Sequence, residues 1–562
     1  MRFSFALVPV FFILFSAACA AAEIENPSMV QSAKAKVVVE GSGEITGSLF
    51  GRSAEIEILS FQDGTGQKVL SLEERLEING KTILGEKKLD SFGNRYALFK
   101  VNETGQFSYR IEAVVETGSA SPEMQDFDLS QKISRFQNFL LPSKNIESNS
   151  ETIRTIALNS FESSSFLQTI VDVTQWVHDS VEYDLSYYPE NYSALSTLQS
   201  RKGVCDEYSV LAAAMLRAKG IPTKIIAGMS YNPLAEKGWD NHAWVESFNP
   251  NGGWTAADPT FAEAGVVDGT HIARGFFTDP SEASISKSMA PQTADVSIEE
   301  KTIAIELQES REFENLFSME AENIALNTQQ WFEFGIKAKN EKESNVIGWF
   351  TLALPQGFKK AGETRLLLFQ PREEKEIIWS IFFENALQKN QYITGTYKIL
   401  YLGGETEKNL KIMPNEAGTE EAKIRLLGIV PIFDANRLAI EITIENTGRE
   451  KAIVEIVVGD FNETVEIPGL ETKKIIATIP AEEGQSYNVS INGPGISFKT
   501  SITVHAGIAI ASQPSGNQTA GQGKEMLEEI GKSLFTAEAA IIAGIIIGIG
   551  IIGFLLKELL SK

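Results

Sequence analysis

The chain has 562 residues, of which two are cysteines, Cys19 and Cys205, and four are histidines. Cys205 opens the run CDEYSVLAAAMLRAKG. Tyr208, Leu211, Ala212 and Met215 recur at the spacing of one helix face, and Gly220 and Pro222 end the helix. The thiol then sits in the first turn. Unpaired N–H groups and the positive end of the dipole there favour a thiolate and lower its pKa. The same N–H groups suit a developing oxyanion. A lone cysteine elsewhere would be read as buried and inert; this position argues for a nucleophile. A nucleophilic thiol wants an imidazole and a third group to hold the ring. His505 lies far along the chain, His178 within the preceding helix, and His271 in a loop-like stretch. His242 precedes the β-prone run Ala243 to Phe248, and after the turn NPNGG the run WTAAD ends at Asp258. Two strands joined by a tight turn would set His242 beside Asp258. Cys205, His242 and Asp258 could then form a thiolate–imidazolium pair with an orienting carboxylate. The same three could ligate a metal, but no short ligand pair accompanies them, so no metal is expected.

Three blocks, LSTLQSRKGVCDEYSVLAAAMLRAKGIPTKIIAG, NHAWVES and WTAADPTF, together resemble the transglutaminase-like superfamily. The resemblance covers about residues 135 to 280. It implies a papain-like fold with Cys205 as nucleophile, His242 as general base and acid, and Asp258 as orienting carboxylate. Ser209 stands where alanine is frequent and Lys224 where arginine is frequent; neither belongs to the triad. The N–H of Cys205 is one oxyanion donor by geometry, and Tyr183 is the candidate for a second. Trp244 and Trp254 are read as sheet-packing residues. Asp206 and Glu207 are read as carboxylates that suit the helix dipole, and Arg217 as a structural ion pair at the helix end. The resemblance implies attack on a peptide or glutamine amide of a protein or peptide substrate. The acyl-enzyme thioester is resolved by water, as in a peptidase or amidase, in preference to an amine that would give a cross-link. No nucleotide loop, EF-hand spacing or cofactor motif occurs, so no cofactor is expected.

The elements that must position these residues follow from the rest of the chain. Hydrophobic residues make up 43% and charged residues 22%, an ordinary globular balance. Lys and Arg number 50 against 74 Asp and Glu, and the net charge of −24 repels nucleic acid. Residues 21–128 read as an N-terminal β-rich domain, with AKVVVE, SAEIEIL, RYALFKV and FSYRIEAVVE as short strands. Residues 129–285 show helical periodicity, as in Phe166, Ile170, Val173 and Val177, and form the catalytic domain. Residues 295–413 and 420–505 read as β-sandwich domains, the second Ig-like. In the latter, Leu438, Ile440, Ile442 and Ile444 alternate along one strand face.

At the ends, residues 1–20 read as a signal peptide and 506–533 as a linker. Cys19 could alternatively be a lipid-modified cysteine. Residues 535–556 read as a transmembrane helix followed by a cytoplasmic tail, 557–562. Gly544 and Gly548 form a GxxxG, read as ordinary membrane-helix glycine in preference to a dimer seam. Five sequons, starting at Asn102, Asn191, Asn462, Asn488 and Asn517, could carry glycans. The expected fold class is therefore multidomain: a central α+β domain flanked by β-sandwiches, closing on a C-terminal transmembrane helix. The expected location is a cell membrane crossed once, with the body outside the cytoplasm. A rival reading makes the β-domains the working part of a catalytically silent surface adhesion or scaffold protein.

Overall fold

The computed structural model describes residue 24 and residues 26–511, apart from 119–122, 188–191, 233–237, 362–363, 389–390, 415–421, 435–436, 449, 470, 483 and 506–507. The described residues hold 34 strands and four α-helices, so the chain is chiefly β-sheet. This corrects the expected fold class. The longest described helix has 15 residues, short of the ~20 that cross a bilayer. No helix among the described residues is long and apolar enough to cross a membrane. The segments expected to be a signal peptide, a transmembrane helix and a tail lie outside the described residues. The expectation of a membrane-spanning protein, and of the location drawn from it, is withdrawn on that finding.

The first sandwich is built from strands whose side chains alternate in and out. In Val30–Gly47 the residues Ala33, Ala35, Val37 and Val39 are buried while their neighbours are only partly so. This strand lies between Gly105–Gly118 and Ala294–Glu312, both antiparallel to it. Its second sheet runs Ser286–Met289, Ala54–Leu59, Arg95–Val101, Glu86–Leu89. Residues 286–312 therefore return to the first sandwich after the catalytic region, which is inserted between its strands.

The inserted region holds all four helices: α1 (Glu151–Ser160), α2 (Phe166–Ser180), α3 (Ala194–Ser200) and α4 (Cys205–Ala218). The periodic residues Phe166, Ile170, Val173 and Val177 of α2 are fully buried, and the Ser165 hydroxyl caps the helix by accepting from the Gln168 N–H at 3.0 Å. Helix α4 goes beyond its amphipathic pattern. Every residue from Glu207 to Arg217 is buried, because α1, α2 and α3 pack on one side and a sheet on the other. That sheet consists of β1 (Thr223–Tyr231), β2 (Trp239–Asn249), β3 (Gly253–Asp258), β4 (Glu263–Gly265) and β5 (Ile272–Phe277), in the order β4-β3-β2-β1-β5, all antiparallel.

The apolar core of the helices runs on into the next pair of sheets, residues 317–413. Gln175 of α2 ties the two together, accepting from the Leu366 N–H at 2.7 Å and donating to the Thr364 carbonyl at 3.2 Å. The last sandwich, residues 424–511, has a core of its own, in which Leu438, Ile440, Ile442 and Ile444 are fully buried.

Candidate active site

Cys205 is the first residue of α4. The turn before it is tight. Lys202–Gly203 pairs in parallel with Glu182–Tyr183, and a Cβ at Gly203 would lie 2.3 Å from the Cβ of Glu207. Glycine there lets Glu207 fold back and accept the Val204 N–H at 2.8 Å. Glu207 thus caps the helix and does not face a reacting group. The pairing also brings Tyr183 to the thiol's neighbourhood, its ring 6.3 Å from that of Tyr208.

Strand β2 supplies the imidazole. Its ladder with β3 runs from Asn249 to Val245, which pairs with Ala257, and stops there. Asp258 is one step past that point, so it reaches His242 on the diagonal of the hairpin. The Nε2–H of His242 donates to Oδ2 of Asp258 at 2.7 Å. Two residues beyond the ladder's end, the Ala243 peptide meets α4. Its carbonyl accepts from the Ser209 hydroxyl at 3.0 Å, and its N–H acts to lower the pKa of the Cys205 thiol. The residue next to His242 in the chain therefore borders the thiol, and Nε2 of His242 is taken by Asp258. The ring lies flat against Phe261, with centroids 4.7 Å apart and planes 10° apart, and Trp244 stacks at 6.1 Å. Trp244 is buried in the sheet, as a packing residue should be.

Burial pushes the Cys205 thiol up from its ordinary range; the neighbouring Asp206 carboxylate adds to this, and the Ala243 N–H opposes it. The helix N-terminus was expected to lower that pKa. Desolvation and the nearby carboxylates act in the other direction, although the residue is only half-buried. Asp206 and Glu207 are raised as well, chiefly by burial, and burial followed by the charges of Cys205, Asp240 and Asp258 pushes the Tyr183 phenol up to about 12. Asp258 goes the other way. Burial alone would raise it, but the charge and hydrogen bond of His242, with the hydrogen bond of His271, hold it well below the usual carboxylate range.

His271 is the residue that sequence reasoning missed. It sits just before β5, and its Nε2 lies 3.1 Å from the same Asp258 oxygen that His242 uses. The available signal was short: a carboxylate, Asp268, three residues before the histidine. Ligand atoms of His242, Asp258 and His271 lie within 4.8 Å of one another, as do those of Glu263, Asp268 and His271. Separations of 2.7 and 3.1 Å within the first set are hydrogen bonds, holding protons between the groups.

Two further residues differ from expectation or gain definition. Arg217, expected in an ion pair, donates instead to the carbonyls of Thr223, Leu141 and Thr278 at 2.7–3.0 Å, and burial lowers its pKa to about 10. Lys224 bridges to Glu246 at 2.7 Å and lies 4.2 Å over the Trp254 ring. This buried pair borders a cavity of about 100 Å³ between the catalytic sheet and residues 62–67 of the first sandwich.

Residues 157–259 match the transglutaminase-like superfamily. A protein-glutamine gamma-glutamyltransferase of Pseudomonas aeruginosa is 39% identical over 72 residues, 12% of this chain and 11% of that protein. The uncharacterized protein ML0607 of Mycobacterium leprae is 24% identical over 158 residues, 26% of this chain and 56% of that protein. The chain spans between 11% and 56% of the length of the curated relatives it matches. Among solved structures, the periplasmic domain of TgpA from Pseudomonas aeruginosa is 18% identical with a TM-score of 0.22, covering 42% of this chain and 89% of that one.

Proposed function

Taking the transglutaminase-like domain at residues 157–259 as premise, we propose that the chain is a thiol enzyme that breaks a glutamine or peptide amide through a thioester on Cys205. The observation that supports this is the 2.7 Å hydrogen bond of His242 to Asp258, one residue along β2 from the Ala243 carbonyl that takes the Ser209 hydroxyl of the Cys205 helix at 3.0 Å. The thiol, its pKa raised, rests as S–H, so its proton moves to Nδ1 of His242 as sulfur attacks the carbonyl carbon. Asp258 stabilises the imidazolium that results. The N–H of Cys205, with the Tyr183 hydroxyl, receives the oxyanion. Collapse breaks the C–N bond, and the amine or ammonia leaves with the proton from His242. Water, deprotonated by the same imidazole, then cleaves the thioester to a carboxylic acid. Transfer to a lysine amine in place of water is the second reading, favoured by the gamma-glutamyltransferase name of the relative at 39% identity.

The test incubates the full chain with glutamine peptides, with and without a primary amine, and follows ammonia release and peptide mass. Hydrolysis gives the deamidated peptide whether or not amine is present; transfer gives the amine adduct. A thioester trapped on Cys205, absent in Cys205→Ser, is expected in either case. No product of either kind, with no adduct on Cys205, would leave the β-sandwiches as the working part of the protein.

A further inference from the structure

Among the histidines whose side chains are described, His271 is the one whose two ring nitrogens both meet oxygen acceptors. Nε2 faces the Asp258 carboxylate at 3.1 Å. Nδ1 faces the Asp268 carbonyl at 3.2 Å and its Oδ1 at 3.3 Å. Neither a carbonyl nor a carboxylate has a proton to offer. A neutral ring would turn a lone pair on one of them, in a place where the side chain is 1% exposed and water cannot intervene. Both nitrogens must therefore donate. The ring cannot turn away, since Trp244 meets it at 5.0 Å and 84°, and Phe261 at 5.9 Å and 74°.

We propose that His271 is a permanent imidazolium that positions the Asp258 carboxylate for His242 and leaves a fixed positive charge beside the site. The proposal rests on the Cys205–His242–Asp258 reading for its catalytic consequence, though not for the charge itself. With His271 in place, the carboxylate is fixed at three points: His242 and His271 on Oδ2, and the Thr260 N–H on Oδ1 at 2.8 Å. The groups that face His271 are Asp258 on β3, Glu263 on β4, Asp268 in the following loop, and His242 on β2, with ring centroids 5.4 Å apart. Asp206 of α4 acts on His242 from the opposite side. Asp268 is itself held as an acceptor by the N–H and hydroxyl of Thr270 at 2.7 and 2.5 Å. Burial opposes the charge on His271, and the carboxylates of Asp268 and Asp258 more than offset it.

The charge is read directly in full-length protein carrying isotope-labelled histidine, with His271→Gln to assign the signals. His271 should keep protons on both nitrogens well above the pH at which an ordinary histidine, near 6.5, loses one. In Asp268→Asn the ring stays in place but loses a carboxylate, so its titration should fall by about one pH unit or more. The catalytic consequence is read from alkylation of Cys205 against pH. His271→Gln should move the acid limb up by about one unit, because the pair of thiol and His242 then gives up its first proton less readily. A structural spacer would slow alkylation or lower the melting temperature without moving that midpoint. A His271 that is neutral at pH 7, or a midpoint unmoved in a folded His271→Gln, overturns the proposal. If Cys205 resists alkylation in every variant while His271 stays doubly protonated, the nucleophile reading fails and the buried imidazolium stands.

Discussion

The helix side of the site is partly open, with Cys205 half-buried and Tyr183 45% exposed, whereas Asp258 and His271 on the hairpin side are buried, and the two sides treat charge in opposite ways. On the helix side, Cys205, Asp206, Glu207 and Tyr183 are all pushed toward their uncharged forms, burial being the largest cause each time. On the hairpin side, Asp258 is fully buried and nonetheless held ionised, because two histidines donate to one of its oxygens. Burial does not decide ionisation by itself; the availability of a partner of opposite charge does. The pair therefore divides the work. On the proposed reading, sulfur waits as a thiol at the helix start, and the imidazole that would take its proton waits where a carboxylate already compensates the charge.

The largest effect comes from removing that compensation. Asp258→Asn should lower kcat by about 10³–10⁴-fold, as expected when the orienting carboxylate of a triad is lost. It should also erase a stability difference in a defined pH window. The Asp258 pKa is lowered in the folded chain, so its contribution is full above the ordinary carboxyl range and fades as the pH falls below about 4. Melting temperatures of the two proteins should differ at pH 7 and converge in acid. A variant that keeps its rate would mean that the hairpin side does not bear the charge.

Tyr183→Phe probes the helix side, where the phenol stays protonated to about pH 12 and so remains a donor. A fall in kcat of about 10- to 100-fold with unchanged Cys205 alkylation would assign it to the oxyanion; equal loss of both would place it in packing instead.

Glu263 is the exception on the hairpin side. Burial, followed by the charge of Asp268, raises its pKa well above normal, and its Oε1 has no hydrogen-bond partner. The ionised form is penalised progressively as pH rises from the ordinary carboxyl range toward the folded pKa. Glu263→Gln should therefore be at least as stable as the parent at pH 7.5, by about 1 kcal/mol, with the advantage shrinking toward pH 4. Chemical denaturation at the two pH values measures it, and a loss of stability at pH 7.5 would show that the carboxylate is needed charged. The smallest effect is expected for Ser209→Ala, which removes one hydrogen bond between α4 and β2: about 1 kcal/mol in stability, with kcat/KM reduced less than tenfold.

The candidate site was legible wherever chemistry follows local periodicity. The start of α4 at Cys205, its end before Gly220, and the turn between β2 and β3 are matters of neighbours a few residues apart, and runs of apolar and turn residues display them. The hairpin pairing was nearly legible. A hairpin sets residues opposite one another, but where its ladder ends depends on the helix that captures Ala243, 34 residues from Ser209. Arg217 shows the same boundary. Its charge suggested an acidic partner, and the fold gave it carbonyls from three separate segments.

By itself the amino-acid order determined which reactive groups exist, in what succession, and which of them begin a helix or close a turn, because those features are set by hydrogen bonds and side-chain spacing within a few residues. Only the tertiary structure decided the protonation of Cys205, the recruitment of His271, and the return of residues 286–312 to the first sandwich. Those depend on desolvation and on fields summed over groups distant in the chain, which no local pattern records.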